Sequence, residues 1–166
     1  MSNHKTSPAR TLRRDARALI EHCPGWNSRL AARRISQFLD QALAESGLSV
    51  AQLGLMALVA TAEDDRLGAL ARRAGLDQST LSRNLQGLAR AGLAEIAMVE
   101  KDQRRRAVWL TEAGARQLQA AIPIWQRAQA RTESVFWPEL ARRLADAAEA
   151  TPLPARKPEA AGRDRP

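Results

Sequence analysis

Apolar residues recur with helical spacing in several segments of this chain and alternate with polar ones in a single place. The clearest helical signals lie between residues 66 and 92. Leu67, Leu70, Ala71 and Ala74 stand at i, i+3, i+4 and i+7, one apolar stripe of a short helix that Gly75 ends. A second helix opens at once, with Asp77 placed to accept hydrogen bonds from the unpaired N–H groups of its first turn. With Asp77 as the cap, Leu76 and Leu81 fall at the positions of a hydrophobic staple. The far end carries Gly92 where a left-handed residue belongs and Leu93 in place to fold back on Leu88. The pattern therefore predicts two helices joined by a tight glycine turn.

Longer helical stripes flank this pair. Pro24 suits the first turn of a helix running to about Glu45, with Ala31, Ile35, Phe38, Leu39, Ala42 and Leu43 on one side. Ser49 and Gln52 have capping-box spacing, and Leu48 with Leu53 forms another staple, so a buried helix starts there. Beyond residue 110, Thr111 caps a helix to about Phe136 whose stripe is Leu118, Ile122, Trp125, Gln129, Thr132 and Phe136, with a bend expected at Pro123. A last helix from Pro138 to about Ala150 adds Leu140 and Leu144. These stripes exceed what a small domain can cover, and the simplest cover is a second copy in a two-fold dimer.

The alternating segment lies between the two groups. Ile96 and Met98, then Val108 and Leu110, read as two short strands, with Lys101, Asp102, Gln103, Arg104, Arg105 and Arg106 as the turn between them. That turn sets four cations against one acid. Charge sharpens its meaning, because the formal net charge of +8 is not spread evenly. Residues 66–106 carry nine cations against four acids, residues 1–20 five against one, and residues 151–166 four against two, which leaves the remainder negative. A positive field concentrated in this way is the footprint of a surface that binds nucleic-acid phosphates.

The second helix of the pair supplies the matching chemistry. Leu81, Leu85 and Leu88 point inward, which leaves Gln78, Ser79, Thr80, Ser82, Arg83 and Gln86 for the open side and the entry turn. Short hydroxyls and amides admit a helix close to base edges in a major groove, Gln pairs with adenine, and Arg binds guanine O6 and N7. The basic hairpin suits a narrow minor groove, whose enhanced negative potential attracts an extended arginine, Arg104 being the candidate. Taken alone, each feature is also what an ordinary solvated surface shows. Their adjacency favours a duplex DNA reader, against the alternative of a module of the same fold used only for protein contacts.

The string Asp102, Arg104, Val108, Leu110, Thr111, Gly114 resembles the D-x-R-x-x-x-V-x-L-T-x-x-G signature of the MarR family of winged-helix transcriptional regulators. The preceding segment from Leu70 to Leu93 is similar to that family's helix-turn-helix; the resemblance is specific from about Leu67 to Gly114, and the likeness in helix order extends from Trp26 to Ala150. The resemblance implies a mainly α, α+β winged helix-turn-helix fold in a helical homodimer, each subunit with a two-stranded wing. It implies binding of a pseudo-palindromic double-stranded operator, usually as a repressor released by a small ligand or an oxidant. It gives Arg104 the minor-groove role and Asp102 that of steadying the wing, with Lys101, Arg105 and Arg106 beside them.

The expected organisation is a basic, partly disordered arm over residues 1–20, a dimerisation helix over 21–47, the winged helix-turn-helix over 48–110, dimerisation helices over 111–150, and a disordered tail over 151–166. No apolar run is long enough to span a bilayer and the N-terminus lacks the apolar stretch of an export signal, so a cytoplasmic protein without membrane contact is expected. Cys23, the single cysteine, precedes a helix that would activate its thiol, and is the candidate for redox sensing; the resemblance implies tyrosines around such a sensing thiol, this chain has none, and a lone cysteine is more often an inert core residue. His4, His22 and Cys23 lack the spacing of a zinc site, and no metal or other cofactor is expected. Trp26, Trp109, Trp125 and Trp137 fit core packing, with a cavity for a small aromatic ligand as the competing reading. With two histidines near the N-terminus and no phosphate-cradling glycine loop, no catalytic constellation assembles, and no enzyme is expected.

Overall fold

The computed structural model describes residues 8–99, 102–133 and 138–151. Along them run α1 (Pro8–His22), α2 (Pro24–Ala42), a 3-10 turn (Ala44–Ser46), α3 (Val50–Ala60), α4 (Leu67–Ala74), α5 (Gln78–Arg90), β1 (Ala94–Val99), β2 (Asp102–Leu110), α6 (Glu112–Glu133) and α7 (Pro138–Glu149). Lys101, the 134–137 segment with Phe136 and Trp137, residues 1–7 with His4, and the tail from 152 onward lie outside the described residues. The chain divides into two compact units, residues 1–128 and 129–166, and the hydrophobic core belongs to the first. No helix among the described residues is long and apolar enough to cross a membrane.

Three helix starts rest on side chains at the places the pattern assigned, that of α5 on Asp77, which accepts from the Thr80 N–H at 2.8 Å. At α3, Ser49 Oγ accepts from the Gln52 N–H at 3.2 Å while Gln52 Oε1 accepts from the Ser49 N–H at 2.9 Å, a closed capping box. Asp40, on α2, adds a carboxylate oxygen 2.7 Å from the Val50 N–H and so fixes the angle between the two helices. Thr111 begins α6 by accepting from the Gly114 N–H at 2.9 Å and donating its hydroxyl to the Gly92 carbonyl at 2.7 Å. That second bond ties the start of α6 to the end of α5.

Glycines close α4 and α5 in the left-handed region. Gly75 has φ 63°, and the Leu76 N–H reaches back to the Ala71 carbonyl at 3.0 Å. Gly92 has φ 72°, and the Leu93 N–H reaches Leu88 at 2.9 Å, so both ends are Schellman motifs. The staple at α5 is incomplete, however. Leu81 is fully buried but Leu76 remains 38% exposed, so the entry is set by the Gly75 turn and by the Asp77 hydrogen bonds.

Elsewhere tertiary contacts reshape what the pattern suggested. The helix expected to reach Glu45 stops at Ala42 and tightens into the 3-10 turn, where the Ser46 hydroxyl donates to the Leu43 carbonyl at 2.6 Å beneath a fully buried Leu43 side chain. Residues 8–20 of the expected arm are helical in α1, whose amphipathic spacing of Leu12, Ala16, Leu19 and Ile20 accounts for it. On α6 the buried line is Leu118, Ala121 and Ala128, whereas Ile122 and Trp125 of the expected stripe face outward. Glu45 and Ser46 hold that orientation, pairing with Arg127 at 3.0 Å and accepting from Gln117 at 3.0 Å. Pro123 lies within α6.

The core is aliphatic. Leu43, Met56, Leu70, Leu81, Leu85 and Leu88 are its largest fully buried side chains, and no polar or charged side chain among the described residues is buried with them. Trp26, Trp109 and Trp125, the three tryptophans described, are exposed, a correction to the core packing expected of them. They sit on α2, β2 and α6, outside the leucine core.

The sheet is a single antiparallel pair. Ala94 pairs with Leu110, Ile96 with Val108 and Met98 with Arg106, which turns Ala94, Ile96, Val108 and Leu110 toward the core. A further bridge between Arg66 and Ala107 lays the segment before α4 against the outer side of β2.

Candidate nucleic-acid interface

α5 is the element that the rest of the first unit presents. Leu81, Leu85 and Leu88 anchor it in the core, and that alone fixes which side faces out. Gln78, Ser79, Arg83 and Gln86 are exposed, while Thr80 and Ser82 are half-buried at its margins. Arg90, which the sequence reading left out of the site, is exposed on the same face, because 79, 83, 86 and 90 follow the helical repeat. The spacing was the available signal. Gly87 lies beside them, and a Cβ there would meet nothing within 4 Å.

The first turn of α5 is rigidly organised. Asp77 accepts the Ser79 hydroxyl at 2.6 Å, the Thr80 N–H at 2.8 Å and the Thr80 hydroxyl at 2.7 Å. These donors, the Ser79 hydroxyl foremost, hold its carboxyl well below the usual carboxylate range, so it is charged throughout the neutral range. Arg83 Nη2 in turn donates to Ser79 Oγ at 3.3 Å, which draws the guanidinium toward the start of the helix. A chain of hydrogen bonds therefore runs from Arg83 through Ser79 to Asp77.

The hairpin differs from the expected short strands and long turn. β2 begins at Asp102, so Asp102, Arg104, Arg105 and Arg106 lie on a strand and not in the turn; Lys101 is outside the described residues. Between Met98 and Val99 the pairing advances from Arg106 to Asp102, which leaves Gln103, Arg104 and Arg105 with no described β1 residue opposite. Such a bulge bends and twists the strand that carries it. The structure thus places Arg104 at an irregularity of the ladder. Arg66, counted in the positive field, is engaged by Asp64 in a two-oxygen ion pair at 2.8 and 2.9 Å from Nε.

The base of the hairpin is locked to α5 through Gly114. A Cβ on that residue would fall inside van der Waals distance of the Leu93 carbonyl oxygen and 2.8 Å from its carbon, so only glycine permits the approach. The threonine and glycine of the signature therefore join the end of α5 to the start of α6.

The other candidate residues lie apart from this surface in sequence and element. Cys23 is a half-buried free thiol at the N-cap of α2, making no capping hydrogen bond through its side chain. An open groove runs along α1, lined by Arg13, Ala16, Arg17, Ile20 and Glu21, with no aromatic residue among them.

A helix-turn-helix followed by a two-stranded wing defines a winged helix-turn-helix protein. The comparisons with known proteins agree. A family model described as the MarR family matches residues 46–105. The solved structure of the Mycobacterium tuberculosis transcriptional regulator MosR in complex with DNA is 33% identical, covering 78% of this chain and 96% of that one with a TM-score of 0.71. MosR alone gives 32% identity over 79% and 96%, with a TM-score of 0.67. A mutant Escherichia coli MarR complexed with operator DNA shares the fold at 20% identity, over 81% and 98%, with a TM-score of 0.66. No curated protein sequence matches the chain. The chain belongs to the MarR family.

Proposed function

We propose that this protein is a sequence-specific, double-stranded DNA-binding transcriptional regulator, acting as a repressor on a pseudo-palindromic operator as a homodimer. The observation that carries the reading is the outward face of α5. A helix held by three buried leucines presents Ser79, Arg83, Gln86 and Arg90 at successive turns, and the hairpin that follows it in the chain carries Arg104, Arg105 and Arg106 on its second strand. The face has the reach and polarity of a major-groove reader, and the strand has the charge of a backbone or minor-groove contact. The DNA complex of MosR supports it, and membership of a family of transcriptional regulators supports a role without a catalytic step.

Within this reading Gln78, Ser79, Thr80, Ser82, Arg83, Gln86 and Arg90 serve the major groove, and Lys101, Asp102, Arg104, Arg105 and Arg106 the wing. Arg83→Ala is expected to relax the preference at particular bases, whereas Arg105→Ala weakens all sequences alike and lowers the dependence of log affinity on log salt by about one unit. Titrating both variants against operator and scrambled duplex at several salt concentrations checks this. Equal and small effects from the two would favour a protein-docking module.

Release of DNA by an oxidant would run through Cys23, the only thiol of the chain. The parent protein is then expected to lose operator affinity in peroxide and Cys23→Ser to keep it. A loss in both excludes the thiol.

A further inference from the structure

The hydrogen bonds at the start of α5 determine more than the shape of that turn. A serine or threonine hydroxyl has one proton to donate. Ser79 gives its proton to Asp77 at 2.6 Å, and Thr80 gives its own to the other carboxylate oxygen at 2.7 Å. Ser79 also accepts from Arg83 at 3.3 Å, which uses one of its lone pairs and leaves the other. Toward any outside partner both hydroxyls therefore offer lone pairs and no proton.

The exposed N–H groups of a helix N-terminus without an acidic cap attract phosphate. Here a carboxylate occupies the position and repels it. The groups in a major groove that an acceptor-only surface can satisfy are the exocyclic amino groups, N4 of cytosine and N6 of adenine. Guanine presents O6 and N7, and thymine O4, all acceptors that would face lone pairs across the interface.

We propose that Asp77 is a positioning residue that acts through Ser79 and Thr80: by holding both hydroxyl protons it makes the first turn of α5 select a base bearing an exocyclic amino group. The inference rests on the reading of α5 as the major-groove helix and adds to it the chemical class of one base. Ser79, the more exposed of the two, makes the contact, and Arg83, drawn against it, reads a neighbouring position.

The test selects binding sites from a randomised duplex pool with the parent protein and with Asp77→Asn. Asparagine caps a helix as well as aspartate does, but its amide replaces one of two acceptor oxygens by a donor, so one hydroxyl proton is released. The parent is expected to select cytosine or adenine at one position of each half-site, with roughly tenfold discrimination against a keto base. In Asp77→Asn guanine or thymine joins at that position alone, while the rest of the motif is kept. Replacing the selected base by its analogue without the amino group, 2-pyrimidinone or unsubstituted purine, should weaken the parent about tenfold and Ser79→Ala little. Thermal unfolding confirms that the variants are folded, and Ser79→Ala carries the test if Asp77→Asn is not.

An identical motif with undiminished discrimination in the Asp77→Asn and Ser79→Ala proteins overturns the inference and leaves the DNA reading intact. A parent protein that enriches no sequence at all overturns the reading on which it rests. A uniform gain in affinity on removing the Asp77 charge, with no change at one position, counts against the inference, because simple electrostatics would produce it.

Discussion

Two glycines of this fold have opposite meanings, and substitution separates them. Gly114 packs against the backbone of Leu93, where a Cβ would be 2.8 Å from the carbonyl carbon. Neither side can yield, because Thr111 binds the same segment through Gly92 and Leu93 at 2.7 and 3.1 Å. Gly114→Ala is therefore expected to cost more than the roughly 1–3 kcal/mol typical of overpacking, read as a fall in the denaturant midpoint. Gly87 stands mid-helix with open space around its Cβ position. Replacing it by alanine removes backbone entropy from the unfolded chain and adds about 0.5–1 kcal/mol of stability. Equal effects from the two variants would mean that α6 does not lean on the end of α5.

At the scale of elements, α5 depends on a charge that pH can remove. Its cap Asp77 has a folded-state pKa lowered from the ordinary 3.8 by the Ser79 and Thr80 donors. A depressed carboxyl contributes stability that is complete above its unfolded value and is lost as pH falls through the folded one. The lead of the parent over Asp77→Ala should then be constant between about pH 5 and 7 and shrink below about pH 4. A lead still undiminished at about pH 3, with the protein folded there, would refute the hydrogen-bonded carboxylate. Asp77, Gly75 and Gly92 were legible in the sequence because caps and left-handed turns are local, requiring only a side chain or a missing Cβ within a few residues. The same locality made Ser49 with Gln52 readable. The end of α2, the buried line of α6 and the length of β2 were not, because each involves partners distant in sequence: Glu45 pairs with Arg127, the Ser46 carbonyl accepts from Gln117, and β2 bridges to Arg66 through Ala107. Periodicity placed Ile122 and Trp125 in a stripe but could not say whether this chain covers it. The outer face of α5 was legible for the reason that three leucines at i, i+4 and i+7 leave one orientation, and Arg90 belonged to that face by the same arithmetic.

For the whole molecule the open question of cover becomes a physical demand. Leu12, Leu19 and Ile20 form an exposed stripe on α1, Trp26 is exposed on α2, and Leu140 and Leu144 are exposed on α7. Apolar stripes on terminal helices mark association surfaces more often than solvated ones, and closed two-fold dimers are the commonest form of association. A dimer also gives the reading helix its range, since two copies set their recognition helices about one turn of DNA apart, roughly 34–36 Å. Sedimentation at micromolar concentration is expected to give twice the chain mass of 18.2 kDa. Leu19→Glu with Ile20→Glu places two charges in the contact and should shift the protein toward monomer, with the core of the first unit untouched because neither residue is part of it. Operator binding then falls for a geometric reason that a second experiment isolates. Inserting about half a helical turn, roughly five base pairs, between the half-sites rotates one to the far side of the duplex. The parent should lose most of its affinity on that duplex, while the charged variant, engaging one half-site at a time, should bind both duplexes alike. A parent protein that is indifferent to the insertion would show that each subunit reads DNA alone, and the dimer would then have no part in recognition.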